Sequence, residues 1–263
     1  MRHGLFLPNF GAFADARKVA SLAREAEESG WDGLFVWDHV VRREGDLPLA
    51  DPWVLLAAIA MSTERLVFGP LVTPLPRRRP WNVAKAAVTL DHLSNGRMVL
   101  GVGLGTTRGP EFESFGEQLD PKIRGDMLDE GLQLVLDAWS GEPVTAAGSH
   151  YRVDGQRFLP TPVRASGIPV WVATEVIHGR PVRRAARVDG IFPIGIAPPE
   201  VATLLSAIEP LRSPDAGHFD VIVTGTDEPG PWEGSGATWW LRVLAHDQTF
   251  DDYRTIVASH ATH

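Results

Sequence analysis

The hydrophobic positions of this chain follow two alternating patterns, short unbroken runs and longer stretches spaced every three or four residues. Residues 66–105 show both, with apolar runs at 66–69 and 97–102 flanking apolar positions 83, 84, 87, 88, 90 and 93. Short apolar runs predict buried strands, and the spaced positions predict a helix with one apolar face. Asn95 and Gly96 predict the end of that helix. The order strand, helix, strand predicts parallel strands whose carboxyl ends carry the ligand-binding loops.

The same alternation continues through the rest of the chain. It predicts strands at 3–8, 33–36, 66–69, 97–102, 168–173, 190–193, 219–223 and 237–241. It predicts helices at 15–29, 53–61, 81–93, 123–139, 182–186, 199–208 and 250–259, and a small hairpin within 144–159. No linker-like break divides the 263 residues. We therefore expect an α/β protein with a single (β/α)8 TIM barrel over residues 1–263, in preference to an open doubly wound sheet.

Composition and charge narrow the classes of partner. The net charge of -8 argues against a nucleic-acid partner, because neutralising phosphates requires a basic surface. The absence of cysteine excludes disulfides, a thiolate nucleophile and a cysteine-ligated metal. With neither a signal-peptide pattern nor a long apolar run, we expect a cytoplasmic protein with no membrane partner. The arginine triplet at 77–79 is expected to be a solvated face, with an anion contact as the less favoured alternative.

Candidate chemistry is expected where strands end, because a barrel places its functional side chains there. Asp38 and His39 follow the second predicted strand and supply an acceptor and a group that titrates near neutral pH. The alternative is a helix-capping aspartate beside a structural histidine. Glu111 and Glu113 lie in the loop after the fourth strand, where either carboxyl could protonate or bind a substrate, although surface glutamates are common.

Glycines and prolines mark two further segments. Residues 101–105 (GVGLG) lack the G-x-G-x-x-G frame of a dinucleotide loop, so glycines such as Gly103 are better explained by backbone that approaches a flat ligand. Pro70, Leu71 and Val72 lie in a segment bracketed by prolines. That segment predicts either an unusual backbone geometry beneath a ligand or an ordinary rigid turn.

The loop after the fifth predicted strand has the residues of an anion site. Thr174, His178, Gly179 and Arg180 lead into a helix, where backbone N–H groups and a cation can bind phosphate. A simple helix cap is the alternative. We favour phosphate, although barrels place it more often after strands seven and eight.

Several motifs together resemble one known family. They are GLFVWDH at 33–39, the stretch 66–105 with TLDHLSNGR at 89–97, FGE at 115–117, RG at 124–125, LDE at 128–130, WSGE at 139–142, RAAR at 184–187 and DG at 189–190. In combination they resemble the luciferase-like monooxygenases, which are flavin- and deazaflavin-dependent oxidoreductases related to bacterial luciferase. The resemblance implies a (β/α)8 barrel that binds FMN or coenzyme F420 with the ring at the strand carboxyl ends.

Carried over position by position, the resemblance implies roles for individual residues. Asp38 and His39 would lie beside the ring, with His39 as the acid or base, and Glu111 or Glu113 would be an acid over it. Two segments would also contact the cofactor: a non-proline cis peptide within Pro70, Leu71 and Val72 against the ring, and a phosphate segment of Thr174, His178 and Gly179. With FMN, oxygen would be transferred to a small organic substrate; with F420, the reaction would be a hydride transfer.

Partners and rival functions complete the expectations. The resemblance implies a homodimer and a flavin or F420 reductase as a further partner. The aromatic residues Trp232, Trp239 and Trp240 could form a subunit contact or belong to the core. Arg242 stands where similar sequences lead us to expect glutamate, which leaves the substrate open. The alternative functions are a metal-dependent barrel hydrolase and a non-catalytic barrel that binds a phosphorylated ligand.

Overall fold

The computed structural model describes residues 1–42, 47–226, 228–244 and 247–262. Its strands are β1 Arg2–Leu7, β2 Gly33–Val36, β3 Val67–Pro70, β4 Thr73–Pro74, β5 Leu100–Gly103, β6 Pro143–Ala147, β7 Arg152–Arg157, β8 Val170–Thr174, β9 Gly190–Pro193, β10 Asp220–Gly225 and β11 Trp239–Val243. Its helices are α1 Ala16–Glu28, α2 Pro52–Ser62, α3 Pro80–Leu93, α4 Pro121–Trp139, α5 Arg180–Ala185, α6 Pro198–Ile208 and α7 Phe250–Ala258. Each predicted helix and strand is present, and no bound moves by more than three residues.

The described strands form a nearly closed parallel barrel surrounded by helices. Nine strands are hydrogen-bonded in the order β3-β2-β1-β11-β10-β9-β8-β5-β4. The two end strands, β3 and β4, are consecutive in the chain, and a parallel bridge between Phe68 and Met98 joins β3 to the segment before β5. If β3 and β4 count as one interrupted strand, the predicted (β/α)8 barrel is confirmed.

The interruption between β3 and β4 lies at the peptide bond that the resemblance singled out. The Leu71–Val72 peptide is cis, so the expected cis peptide is confirmed. Two glycines let the neighbouring backbone approach this segment. A Cβ on Gly69 would lie 1.9 Å from the carbonyl oxygen of Val99, and a Cβ on Gly101 would lie 2.4 Å from that of Pro70. Any larger residue at either position would force these strands apart.

Two apolar clusters alternate along the strands. Within β11, Trp239 and Leu241 belong to the barrel interior, whereas Trp240 between them packs with the helices. The interior cluster consists of Phe6, Phe35, Leu71, Val99, Trp171, Phe192, Ile222, Trp239 and Leu241. Because Trp239 and Trp240 are 0% and 3% exposed, they are core residues and do not form a subunit contact.

The TLDHLSNGR motif holds the barrel together beneath the ligand-binding face. Its Arg97 donates hydrogen bonds to the carbonyl oxygens of Ala60, Thr63 and Leu66, which cap the end of α2 and the start of β3. Asn95 and Gly96 both adopt positive φ, as the predicted helix end requires. This part of the family motif therefore has a structural role.

The predicted hairpin is also confirmed. Strands β6 and β7 pair antiparallel, and Val144, Tyr151 and Val153 pack against Leu134 of α4. Glu130 of α4 accepts backbone hydrogen bonds from the loop between the two strands. None of the described helices has the length and apolar character needed to cross a bilayer.

Candidate active site

A deep cleft opens at the carboxyl ends of the barrel strands and has a volume of about 560 Å³. Its floor is formed by Phe6, Leu71 and Phe192 of the interior cluster. Its walls come from loops that follow different strands, and they include Trp37, Asp38, His39, Val72, Gly103, Glu111, Arg124, Thr174 and Arg184. The fold therefore brings residues distant in sequence to one site, in the place where barrels carry their chemistry.

Two residues of this cleft lining, a histidine and a glutamate, form a hydrogen-bonded pair. Nδ1 of His39 lies 2.8 Å from Oε2 of Glu111, and the two side chains are 17% and 5% exposed. The other oxygen of Glu111 accepts the Val40 backbone N–H at 2.6 Å. Because an ionised carboxylate only accepts hydrogen bonds, the His39 proton lies on Nδ1. Nε2 of His39 has no hydrogen-bond partner among the described residues. It therefore remains as the acceptor nitrogen of the ring.

The environment of Glu111 keeps this carboxyl ionised. Burial alone would raise the pKa of Glu111, but the hydrogen bond and charge of His39 oppose that effect. The Val40 amide and the positive charge of Arg77 lower the pKa further, to about 2. A carboxylate that stays ionised can fix the tautomer of His39 and stabilise its protonated form.

Asp38, the residue before His39, is locked by cations. Its side chain is completely buried. Arg78 donates two hydrogen bonds to the carboxylate at 2.7 and 3.0 Å, and the Thr73 hydroxyl donates a third at 3.0 Å. Asp38 therefore fixes the turn that carries His39.

The arginine triplet is not a solvated face. The side chains of Arg77 and Arg78 are only 6% and 24% exposed, and both pair with carboxylates of the cleft. Only Arg79 is exposed. The expectation of a solvated triplet was wrong because the partners, Asp38 and Glu111, lie more than 30 positions away in the chain.

Asn9 holds the backbone of His39 from the other side. Its side-chain amide donates to the carbonyl oxygens of His39 and Ala50 at 2.7 Å, and its Oδ1 accepts the His39 N–H at 3.2 Å. Asn9 is fully buried at the end of β1. The histidine is therefore fixed through its main chain as well as through its ring.

Another part of the cleft lining contains a buried cation with a different environment. Arg124 of α4 is 5% exposed and donates to the carbonyl oxygens of Leu104 and Gly105 at 3.1 and 2.9 Å. Its Nε is buried without a hydrogen-bond partner. No described carboxylate forms an ion pair with it, and burial lowers its pKa, an effect that Asp120 only partly offsets. The centre of the Phe112 ring lies 4.9 Å from its guanidinium carbon, and an anion in the cleft would stabilise this buried charge further.

Arg184 also lines the cleft, but its charge is already paired with a carboxylate. It is 6% exposed and pairs with Asp129 of α4, and it also donates to the Gly125 carbonyl oxygen at 3.2 Å. Arg180 joins Asp129 to Asp126. The two helices α4 and α5 are therefore tied together by ion pairs beside Arg124.

The structure gathers most of the residues that the sequence singled out, but not all of them. Asp38, His39, Leu71, Val72, Gly103, Glu111 and Thr174 line the cleft. Pro70 is buried in β3 and is not among the lining residues, and Glu113, His178 and Gly179 are exposed outside it. The Thr174 hydroxyl donates to the Val176 carbonyl oxygen at 2.7 Å and accepts the Val176 N–H, which closes a tight turn.

Sequence reasoning assigned no role at this cleft to Asn9, Thr73 or Arg124, and placed Arg77 and Arg78 on a solvated face. A signal for Arg124 was present, because it falls on the buried stripe of α4 four residues before Leu128 and eight before Leu132. A charged residue on a core-facing stripe requires a partner. Arg77 and Arg78 gave no such signal, since no periodic pattern surrounds them. In the described part of the chain, no group of three or more His, Asp or Glu side chains could hold a metal ion.

Comparisons with known proteins agree with this fold. An F420-dependent glucose-6-phosphate dehydrogenase of Nakamurella multipartita is 36% identical over 161 residues, which are 59% of this chain and 45% of that enzyme. The chain thus matches about half the length of such curated relatives. The solved monooxygenase RslO1 of Streptomyces bottropensis superposes with a TM-score of 0.78 at 20% identity, over 100% of this chain and 98% of that one.

A second solved structure and a family model complete the comparison. An F420-dependent secondary alcohol dehydrogenase superposes with a TM-score of 0.72 at 21% identity, over 85% of this chain and 68% of that one. At these identities the structures establish the shared fold. The model of the family described as luciferase-like monooxygenase matches residues 1–226, most of the 263 residues. The chain belongs to the luciferase-like monooxygenase family.

Proposed function

We propose that this chain is an FMN- or F420-dependent oxidoreductase or monooxygenase acting on a small organic substrate. The observation that carries the proposal is the His39–Glu111 pair, which presents an acceptor nitrogen at the open end of a cleft of about 560 Å³. That volume is within the usual range for a site that encloses a small-molecule ligand. The F420-dependent dehydrogenases among its relatives support the same class of reaction.

The residues present fit such a cofactor. Val72 and Gly103 form one wall above Leu71, and a Cβ on Gly103 would lie 2.9 Å from Cγ2 of Val72. Glycine therefore leaves a narrow, apolar surface that suits a flat ring. Arg124 also lines the cleft and forms no ion pair with a described carboxylate, so its guanidinium suits a phosphate. The exposed positions of His178 and Gly179 leave their predicted phosphate contacts as predictions.

The chain contributes acid–base chemistry and position. When bound, FMN or F420 supplies a ring that accepts or donates a hydride. Nε2 of His39 accepts the proton that a substrate hydroxyl loses when its carbon is oxidised, and returns that proton in the reverse direction. Glu111 holds the Nδ1 proton in place and stabilises the imidazolium. Glu113 has no part in this scheme, since it is exposed.

Cofactor binding tests the proposal directly. The purified protein is titrated separately with FMN and F420, with binding followed by fluorescence and absorption. We expect at least one of them to bind at micromolar concentration or tighter. Turnover is then measured with 2-propanol and glucose 6-phosphate, representing the substrate classes named for its relatives. If neither cofactor binds, the proposal is refuted. Phosphate binding without redox turnover would favour the alternative of a non-catalytic barrel that binds a phosphorylated ligand.

A homodimer formed through the outer face of α2 is part of the proposal. This helix carries no charged residue, and Val54 and Met61 on its outer face are 61% and 70% exposed. An apolar helix normally has both faces covered. Val54→Glu combined with Met61→Glu should convert a dimer to a monomer in light scattering, whereas Leu211→Glu, at another exposed apolar position, should not. A monomeric wild type would contradict this part.

The electron-supplying partner and the location follow from the same proposal. A flavin or F420 reductase would regenerate the reduced cofactor, and the expected compartment is the cytoplasm. Co-purification of a reductase activity and fractionation of cells test these two points.

A further inference from the structure

We infer that Arg77 is the positioning residue of the His39–Glu111 pair, holding Glu111 against the backbone segment that carries the histidine. The inference rests on the proposed function for its catalytic meaning, but the geometry of the pair can be measured without any cofactor. Arg77 forms hydrogen bonds with Glu111 and Asp38 and none with the His39 ring, so it acts through Glu111.

The contacts of Arg77 reinforce the link between the loops after β2 and β5, which His39 and Val40 also join through Glu111. Its NH1 donates to Oε1 of Glu111 at 3.2 Å, in the loop after β5. Its NH2 donates to the backbone carbonyl oxygen of Asp38 at 2.9 Å, directly before His39. One planar guanidinium therefore spans the carboxylate and the main chain of the residue that precedes the histidine.

These contacts decide which oxygen of Glu111 remains for the histidine. Oε1 receives both the Arg77 guanidinium and the Val40 N–H, so Oε2 is left to accept the Nδ1 proton of His39. Without Arg77, Oε1 would keep only the Val40 N–H, and the carboxylate would lose the charged donor that restrains its rotation away from His39. The His39 tautomer would then lose its fixed partner.

Burial and charge distinguish Arg77 from its two neighbours. Arg78 directs its charge to Asp38, and Arg79 is exposed, so among the described arginines only Arg77 forms an ion pair with Glu111. The turn that carries Arg77 is anchored by Leu75 and Pro76, both buried directly after β4. The guanidinium is thus presented by rigid structure, as a positioning group requires.

The first test uses Arg77→Gln, with Arg79→Gln as the matched control in the same triplet. Nitrogen-15 labelling of histidine reports the tautomer of His39 in the free protein by NMR. The wild type and Arg79→Gln should show one tautomer, protonated at Nδ1. Arg77→Gln should show a mixture of tautomers. A single Nδ1 tautomer in folded Arg77→Gln would overturn the inference, whether or not the protein binds FMN or F420.

The second test measures catalysis in the enzyme loaded with whichever cofactor binds. In Arg77→Gln, kcat should fall roughly 10- to 100-fold, because displacing a catalytic group by about an ångström has an effect of that size. Cofactor affinity should change by less than about threefold, since Arg77 is not among the residues that line the cleft. Added guanidinium should restore part of the rate. An equal loss of affinity and kcat, or no rescue, would contradict a positioning role.

Arg77→Lys covers the case in which the glutamine variant does not fold. Lysine retains the charge but offers a compact donor that cannot span Glu111 and the Asp38 carbonyl as a planar fork does. We expect it to fold and to show a reduced kcat with a mixed His39 tautomer. A fully active lysine variant would show that charge alone is sufficient and would overturn the inference. Should the cofactor assay fail while the tautomer still depends on Arg77, the proposed function falls and the positioning role stands.

Discussion

Two parts of the cleft lining, one around His39 and one around Arg124, differ in their buried charges. Around His39, the carboxylates of Asp38 and Glu111 are matched by Arg77 and Arg78, so the charges balance within the protein. Arg124 is buried with backbone carbonyl partners and no described carboxylate. The part around His39 is organised before any ligand binds. The part around Arg124 is suited to an anion from outside, such as a phosphate-bearing cofactor.

The largest effect on activity should come from substituting His39 in the organised part of the cleft lining. His39→Asn removes the acceptor nitrogen and should lower kcat by roughly 10²- to 10⁴-fold, the usual contribution of a positioned acid or base. Cofactor affinity should stay within about threefold of wild type, as expected for a group that acts on the substrate proton. Turnover and fluorescence titration check the two quantities, with His92→Asn, on the exposed end of α3, as the control. Full activity in His39→Asn would remove its assigned role.

A smaller effect, on cofactor binding, should come from substituting Arg124. Arg124→Gln should weaken FMN binding roughly 10- to 100-fold, because a hydrogen bond to a charged group contributes about 1.5–3 kcal/mol. Binding of riboflavin, which has no phosphate, should change little. Parallel titrations measure both, with the exposed Arg183→Gln as the matched control. If riboflavin binding falls as much as FMN binding, Arg124 has a structural role. The contrast between the parts of the lining around His39 and Arg124 would then be refuted. Should F420 be the cofactor, its phosphate-free chromophore replaces riboflavin.

The smallest effect concerns stability in acid. Because the pKa of Glu111 is lowered from 4.5 to about 2 in the folded state, its ionisation stabilises the protein above pH 4.5. That contribution is lost as the pH falls from 4.5 towards 2. Glu111→Gln should therefore flatten the pH dependence of the unfolding free energy in this window by about 1–2 kcal/mol. Denaturant unfolding at several pH values measures it. Glu113→Gln should follow the wild type, and an identical slope in all three proteins would refute the paired state of Glu111.

The sequence predicted the barrel well because its signals are local. The apolar run of β2 is bounded by Gly33 and gives the observed strand without correction. The run at 97–102 gave a less accurate result, since β5 begins only at Leu100. Arg97 is used there to cap α2, and Met98 forms only an isolated bridge. Tertiary contacts of single residues thus moved the boundary.

The site was predictable only in part because its charges pair across the chain. Asp38 and His39 could be located from a strand end, but Arg77 and Arg78 find their partners in separate loops. Glu111 and Glu113 are two residues apart, and the turn that buries one exposes the other. The sequence pattern before this turn is irregular, so it gave no means of choosing between them. Such pairings depend on the closed barrel.

The aromatic interior of the barrel affects how ligands enter and leave the cleft. Phe35, Trp171 and Trp239 fill the space beneath the cleft and leave it sealed from below. Among the described residues, ligands therefore reach the cleft from the carboxyl ends of the strands and not through the barrel interior. Leu71 and the other floor residues would hold a flat cofactor, and a substrate that reacts above it would bind after it and leave before it. This architecture predicts a compulsory order of binding.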